Sequence, residues 1–182
     1  GGFNAPNIFK EITIRGAGME QDTINKVAPT ILMGDIEITS SYGASENSHL
    51  TLEGLYLKGG ILLSTTDNIY LSDNLSYAQF IKCRLENFRQ SSSNFRLKNV
   101  KFIQCKVKDL DVEGDATFIN SFVGSPTSYS SSNTPFNVEC VNCIVVDHYT
   151  TDQPVENSTF VNSVFIGART LGPSNMAYNC VG

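Results

Sequence analysis

A short run of acidic residues over 109–115 is the segment of this chain best suited to chemistry. Strand-like alternation would place Leu110 and Val112 on one side and the carboxylates on the other. Ca²⁺ prefers several oxygen ligands, so three carboxylates on one face of a strand form a candidate calcium site. The residues of this predicted site are Asp109, Asp111 and Glu113.

Basic and imidazole groups near that segment are the next candidates. Lys106 and Lys108 precede the carboxylates and could act as base or neutralising charge in a β-elimination. The alternative is a solvated acidic edge whose charge the two lysines balance. Asp147 and His148 form an Asp-His pair, for which a turn at the end of a strand is favoured over a catalytic role.

The five cysteines do not form a recognisable metal or redox motif. Cys140 and Cys143 make one CxxC pair, yet no second pair completes a four-ligand zinc site, and the two histidines are isolated. Free cysteine commonly behaves as a small buried apolar residue. We therefore expect the thiols to pack in the core and no cofactor to be bound, calcium excepted.

Bulk composition excludes several classes of protein. With 182 residues and a hydrophobic fraction of 41%, the chain can bury the core of one folded domain. Its net charge is -5 and the sequence shows no dense Lys/Arg cluster, which disfavours nucleic acid as a partner. No apolar run reaches the roughly 20 residues that span a bilayer. The chain opens at Gly1 with no signal peptide, as a processed N-terminus would, so this absence does not argue for the cytoplasm.

A six-residue motif recurs six times and indicates the strands that must position these residues. Its copies start at intervals of 22, 16, 22, 20 and 17 residues, and each has Cys or Ser at the fourth position. Self-similarity at such intervals is typical of stacked-repeat proteins. The copies read FIKCRL from Phe80, FIQCKV from Phe102, FINSFV from Phe118, CVNCIV from Cys140, FVNSVF from Phe160 and AYNCVG from Ala177.

Alternation within each copy predicts which side chains face the core. Positions two, four and six are apolar or small and should point inward, whereas position three is polar and should face solvent. The outward column is the surface that we expect to contact a ligand, and it comprises Lys82, Gln104, Asn120, Asn142 and Asn162.

A second column predicts turns three residues before each motif. Asn and Asp tolerate the left-handed backbone conformation that tight turns require. The column comprises Tyr77, Asn99, Asp115, Asn137, Asn157 and Ser174, and an earlier segment, Leu52–Leu57, places Gly54 in the same column.

These columns together predict an all-β fold, a single-stranded parallel β-helix with irregular rungs of about 16–22 residues. Like residues would stack about 4.8 Å apart, somewhat farther than the Cβ atoms of a disulfide, so we expect Cys83 and Cys105 to stay reduced. We expect one domain over 1–182, with a lead-in over 1–11, less regular rungs over 12–76 and regular rungs over 77–182. The last copy ends without a capping element, which leaves open that the chain is part of a longer protein.

A Ser-rich loop over 124–135 interrupts the regular rungs. We expect it to cover or flank an outward apolar strip that would otherwise be exposed, and such strips usually mark a covering loop or a partner. If the strip is uncovered, copies of the chain could associate through it. The strip comprises Phe122, Ile144 and Val164.

The pattern of strand, Asn turn and Phe-Ile-x-Cys resembles right-handed parallel β-helix proteins of the pectin-lyase-like superfamily, in particular secreted Bacteroidetes proteins of unassigned function. The segment Ile12–Gly18, ITIRGAG, is similar to an opening rung of that superfamily. The resemblance covers about 12–180 and implies a fold rather than an activity. Signatures of the polygalacturonase-type hydrolases (NTD, DD, GHG and RIK) do not occur, and Asp147-His148 matches pectate lyases only in its DH dipeptide.

The sequence therefore predicts a bacterial secreted or cell-surface module without catalytic activity that binds glycans or serves as a structural or adhesive scaffold. The alternative is a calcium-dependent polysaccharide lyase of the pectate-lyase type. It would use the predicted calcium site together with Lys106 or Lys108.

Overall fold

A computed structural model describes residues 12–40, 50–65, 73–90, 95–111, 114–124, 126–127, 136–146, 157–167 and 174–182. Within these ranges the protein is all-β, with two parallel sheets and no helix. Accordingly, no helix in the described part of the chain is long and apolar enough to cross a membrane. The all-β prediction is confirmed at this level.

Most strands are short, as expected where turns recur every few residues. The first ten are β1 Ile12–Arg15, β2 Thr30–Leu32, β3 Asp35–Ser40, β4 Leu50–Glu53, β5 Leu55–Leu57, β6 Gly60–Thr65, β7 Asp73–Ser76, β8 Gln79–Ile81, β9 Arg84–Gln90 and β10 Phe95–Ile103. The others are β11 Lys106–Asp111, β12 Gly114–Ile119, β13 Phe122–Gly124, β14 Pro126–Thr127, β15 Phe136–Val141, β16 Ile144–Val146, β17 Thr159–Val161, β18 Val164–Ile166 and β19 Met176–Tyr178.

The chain alternates between the two sheets. Sheet 1 runs β1-β4-β8-β10-β12-β15-β17-β19, with β7 also paired to β10. Sheet 2 runs β18-β16-β13-β11-β9-β5-β2, with β14 paired to β11, and with β6 paired to both β3 and β9. Every pairing between these strands is parallel, so each repeat adds one strand to each sheet and lies on the repeat before it.

The six motif copies are in register. Their first residues are direct partners on neighbouring strands of sheet 1, in the order Phe80, Phe102, Phe118, Cys140, Phe160 and Ala177. Their fifth residues are partners in sheet 2, since Arg84, Lys106, Phe122, Ile144 and Val164 also pair in order. The predicted stacking of like positions is confirmed for the described residues.

The turn between the sheets lies at position three of the motif. Its residues have φ near +50°, from 49° at Asn162 to 54° at Gln104 and Asn142. The predicted turn column is wrong for Asp115 and Asn137, which are paired strand residues of β12 and β15. Left-handed backbone does occur in that column at Tyr77, Asn99 and Asn157.

Because position three is left-handed, the strict alternation predicted for the inward face is wrong at the start of the motif. The first residues from Phe80 to Phe160 are buried, whereas the second residues, such as Ile81 and Ile103, are half-buried on the outer side. Positions four and six are inward for most copies, as predicted. The turn reorients the chain, so two consecutive residues point outward before burial resumes.

Gly54 belongs to the position-three column rather than to the column of Asn99. Leu52 pairs with Phe80 and Glu53 with Ile81, which aligns LEGLYL with FIKCRL. Gly54 has φ 66°, and a Cβ on it would lie 2.9 Å from the Gly16 carbonyl oxygen, so glycine satisfies both the backbone conformation and the close approach.

Aromatic rings and small polar groups fill the space between the sheets. Phe88 contacts the Phe80 and Phe102 rings edge-on, at centroid distances of 5.4 and 5.3 Å. At position four, the Ser121 hydroxyl donates to the Ile119 carbonyl (2.9 Å) and accepts from the Cys105 N–H (3.1 Å). The Cys83 thiol donates to the Leu52 carbonyl at 3.3 Å. Small polar residues recur here because they satisfy backbone groups exposed by the turn.

Candidate functional site

The outer face of sheet 1 carries a polar groove of about 270 Å³, here called the sheet 1 groove. It runs across four neighbouring strands, β10, β12, β15 and β17, a span of about 14 Å at the usual strand spacing. Seven of its nine lining residues have an amide, hydroxyl or carboxyl side chain. Its lining residues are Asn99, Asp115, Ala116, Thr117, Asn137, Val138, Glu139, Asn157 and Thr159.

Two pairs of side chains link neighbouring strands inside the sheet 1 groove. The Asn137 amide donates to the Asp115 carboxylate at 2.8 Å, and the Thr117 hydroxyl donates to the Glu139 carboxylate at 3.3 Å. Asn137 Oδ1 is buried and has no hydrogen-bond partner among the described residues. Each carboxylate keeps lone pairs for further donors, so the groove offers acceptors as well as amide and hydroxyl donors.

Local structure at one end of the groove is set by side chains that bind backbone groups. The Ser158 hydroxyl is buried and accepts from the Val138 N–H at 2.8 Å. The Ser158 N–H in turn donates to the Asn175 side-chain oxygen at 2.8 Å. These contacts fix the chain at Ser158, between the groove residues Asn157 and Thr159.

Sequence reasoning assigned Asp115 and Asn137 to turns and gave Glu139 no role. The signal was present in the outward residues of β12 and β15, where Asp115, Thr117, Asn137 and Glu139 are all polar. It was missed because the repeat was read from position one, and the residues before it were treated only as turns.

The predicted ligand column at position three is exposed throughout, as the sequence suggested. Three of its asparagines and Asn179 form an amide ladder, in which each Nδ2 donates to the Oδ1 one repeat earlier. The distances are 3.2 Å from Asn142 to Asn120, 3.3 Å from Asn162 to Asn142 and 3.4 Å from Asn179 to Asn162. The amide ladder thus uses part of its hydrogen-bonding capacity internally, and lies along the edge of sheet 1 opposite the groove.

Only two of the three residues of the predicted calcium site lie in the described part of the chain. Asp109 and Asp111 are half-buried and flank the fully buried Leu110, which matches the expected alternation. Glu113 lies outside the described residues, as do Asp147 and His148. Among the residues described, no group of three or more His, Cys, Asp or Glu side chains is arranged to hold a metal ion.

Lys106 and Lys108 do not point to one carboxylate cluster. The Lys108 ammonium lies 3.6 Å from a carboxylate oxygen of Glu86, on the preceding strand of sheet 2. Lys106 places its ammonium 5.7 Å from the centre of the Phe122 ring. Neither contact brings these lysines to Asp109 or Asp111, so the geometry gives them other partners.

The cysteines are all free thiols, and four of the five are buried. Burial and a hydrogen bond with Cys83 raise the pKa of the Cys105 thiol. A hydrogen bond with Cys143 and burial raise the pKa of Cys140. The predicted core role of the thiols is therefore confirmed, and the CxxC pair lies in the interior of the stack.

The predicted apolar strip lies in one outward column of sheet 2. Phe122 pairs with Ile144 and Ile144 with Val164, and the last two are 43% and 42% exposed. The loop expected to flank this strip lies mostly outside the described residues. Upstream in the same column, Tyr56, Arg84 and Lys106 replace the aliphatic side chains.

Taken together, fold and groove define an all-β protein of two stacked parallel sheets, consistent with a β-solenoid, that carries a polar groove on one outer face. Comparison with models of known protein families, with curated proteins and with solved structures finds no match to this chain.

Proposed function

We propose that this protein is a right-handed parallel β-helix module that binds glycans through the outer face of sheet 1 and has no catalytic role. A parallel crossover connection is right-handed in about 98% of known cases, which supports the handedness. The resemblance to secreted β-helix proteins supports a location outside the cell or on its surface.

The observation that carries the proposal is the composition of the sheet 1 groove. Seven of its side chains are amides, hydroxyls or carboxylates, contributed by four neighbouring strands. Sugars present a dense set of hydroxyl groups that both donate and accept hydrogen bonds. The amides and hydroxyls of the groove can donate to them, and its carboxylates and amide oxygens can accept from them. Strand spacing repeats along the groove, which suits a ligand that is itself a polymer.

Between the groove and the amide ladder runs a row of half-buried aliphatic residues, which includes Ile103, Ile119 and Val141. Their outer surfaces provide an apolar strip against which the less polar face of a sugar ring can pack. The position-three residues from Lys82 to Asn162 would then contact the ligand from the far edge. This arrangement gives the predicted ligand column a peripheral part in binding and the groove the central part.

The test is affinity electrophoresis through gels that contain neutral or acidic polysaccharides, with and without Ca²⁺, using the double variant Thr117→Val and Thr159→Val. Valine keeps the size of threonine and removes the hydroxyl, so the groove loses two hydrogen-bonding groups at little cost in packing. Thr51→Val is the matched control, because Thr51 lies in the same outward row three strands earlier and outside the groove.

We expect a gel that retards the wild type to retard the double variant at least about fivefold less, since each lost hydrogen bond contributes roughly 0.5–1.5 kcal/mol. Equal retardation of both would overturn the placement in the groove. Replacing Gln104, Asn120 and Asn142 by Ala tests the position-three column in the same way. Calcium-dependent release of products that absorb in the ultraviolet would favour the lyase. Asp109 and Asp111 would then be the residues to mutate.

Assembly through the apolar strip is a separate proposal. The exposed side chains of Ile144 and Val164 support it, and light scattering measures it. A mass of one chain at high protein concentration would count against it.

A further inference from the structure

Two cations face each other across neighbouring strands of sheet 2. Arg84 of β9 is the direct partner of Lys106 of β11. Like charges directly opposite each other destabilise a sheet, because neighbouring strands are only about 4.8 Å apart. Glu86, on the same strand as Arg84, accepts hydrogen bonds from Arg84 at 2.9 and 3.2 Å. One carboxylate thus offsets part of a larger positive charge.

Aromatic rings hold both cations in place. The Arg84 guanidinium lies 4.4 Å from the centre of the Tyr56 ring, and the Lys106 ammonium lies 5.7 Å from that of Phe122. Both distances are within the roughly 6 Å over which a ring attracts a cation. The four residues are consecutive in one outward column, here called the cation–aromatic column. Their order, ring-cation-cation-ring, keeps the two charges adjacent.

More positive charge surrounds this column. The Lys108 ammonium lies 3.6 Å from the Glu86 carboxylate, and its side chain is 64% exposed. Lys58 is also exposed, and it directly follows Leu57, the strand partner of Leu85. Glu86 therefore contacts two cations, Arg84 and Lys108, while Lys106 lies on the neighbouring strand. Residues 58–108 contain nine Lys and Arg against three Asp and Glu, a net charge of +6 in a protein whose total is -5. The sequence shows no cluster because the cations of this column are 22 residues apart.

We propose that Arg84 and Lys106 bind an oxyanion, a carboxylate or sulfate group carried by an acidic glycan. An oxyanion between the two strands would accept charge-assisted hydrogen bonds from both and remove their repulsion. Arginine has five N–H donors, and the Glu86 contacts use the Nε and one terminal nitrogen, so donors remain for a ligand. The proposal takes from the proposed function only that the ligand is a glycan; the site itself is on the other sheet.

Charge distribution favours a glycan over a nucleic acid. The chain outside residues 58–108 has a net charge of -11. A nucleic acid carries one charge per phosphate along its whole length, so the net negative charge of the rest of the chain would repel it. An acidic glycan with more widely spaced charges can place one or two groups on the column and neutral sugars beyond it.

The experiment compares dextran sulfate, which presents sulfate on a sugar polymer, with uncharged dextran in affinity gels. The variant is Lys106→Gln, which removes the charge and keeps most of the chain that lies over Phe122. The control is Lys101→Gln, since Lys101 is exposed on sheet 1 of the same repeat and the change in net charge is identical. We expect Lys106→Gln to lower affinity for dextran sulfate about tenfold, the equivalent of one charge-assisted hydrogen bond. Lys101→Gln should change it less than about twofold.

A reciprocal variant keeps the result interpretable if charge removal disturbs the sheet. Glu86→Gln removes the internal competitor, and we expect it to strengthen retention by dextran sulfate. Equal losses in Lys106→Gln and Lys101→Gln would show non-specific charge attraction and overturn the site, as would an absence of retardation. Oligodeoxythymidylate that binds as tightly, with the same dependence on Lys106, would overturn the assignment to a glycan. Lys106→Gln should lower dextran sulfate retention by the same factor in the Thr117→Val and Thr159→Val background as in the wild type, which separates this site from the groove.

Discussion

Phe102 and Phe118 stack face to face, with ring centroids 4.6 Å apart and ring planes 5° from parallel. Phe80 stacks on the other face of Phe102 at 4.8 Å and 12°. This spacing equals the distance between parallel strands, so the rings follow directly from the register of sheet 1. Since each ring contacts its neighbours above and below, the stack couples the stability of one repeat to the next.

Removing the central ring should therefore destabilise the whole stack. We expect Phe102→Ala to lower the free energy of unfolding by about 3–5 kcal/mol, because a fully buried ring leaves a cavity and two broken stacking contacts. Urea unfolding followed by circular dichroism measures it. The adjacent Lys101→Ala is the control and should change stability by less than about 0.5 kcal/mol. A loss below about 1 kcal/mol in Phe102→Ala would contradict the coupling.

The repeat itself was readable from the sequence, because stacked positions solve the same steric problem and so attract the same residue types. The Phe, Cys/Ser and position-three columns are all in register as predicted. The prediction of the inward face is wrong at position two. A left-handed residue at position three breaks period-two alternation, and nothing in Phe80-Ile81-Lys82 alone shows where the chain turns.

The candidate site was less predictable for a different reason. Its residues come from strands separated by about one repeat, so Thr117 and Glu139 meet in space but not in sequence. The same holds for Tyr56, Arg84 and Lys106. A column of unlike side chains has no residue type that repeats in the sequence. The amide ladder, in contrast, repeats Asn. Sequence patterns therefore report the shared structural positions and miss the variable ones, where the residues of the candidate site lie.

Asn142 tests the left-handed turn. We expect Asn142→Ala to be less stable than Asn142→Gly by about 1–2 kcal/mol, because φ of 54° strains any residue with a Cβ and glycine accepts it. Both variants lose the ladder hydrogen bonds, so the difference isolates the backbone conformation. At Lys101, a strand position, the order should reverse and glycine should be the less stable. Thermal unfolding of all four variants decides it, and the same order at both sites would refute the role of the turn.

Ser121 tests the polar column inside the core. Ser121→Ala removes the acceptor of the buried Cys105 N–H, and we expect a loss of about 1–3 kcal/mol in unfolding free energy. Amide hydrogen exchange at Cys105 should accelerate at the same time. Ser121→Cys should lose less, since Cys occupies this position in neighbouring repeats and makes similar contacts to backbone carbonyls. Equal losses for Ala and Cys would show that volume, rather than hydrogen bonding, determines the residue.

Glu86 predicts a specific pH dependence. A hydrogen bond from the Tyr56 hydroxyl at 2.8 Å, and then the Arg84 guanidinium, hold the pKa of this carboxyl below its usual value of 4.5. A carboxyl whose pKa is lower in the folded state stabilises the protein above its unfolded pKa, and the stabilisation is lost as pH falls through the folded pKa. We therefore expect the wild type to be more stable than Glu86→Gln near neutral pH, and the difference to shrink below pH 4.5.

Tyr56→Phe separates the two causes of this shift. Phenylalanine keeps the ring beneath Arg84 and removes the hydroxyl, so the pKa of Glu86 should rise toward its ordinary value while the guanidinium contact persists. NMR titration of the Glu86 side chain in both proteins measures the change directly. If the Tyr56 hydroxyl is the larger cause, Glu86→Gln should change the pH dependence of stability much less in the Tyr56→Phe protein than in the wild type. An unchanged Glu86 titration in Tyr56→Phe would instead assign the lowered pKa to Arg84 and Lys108.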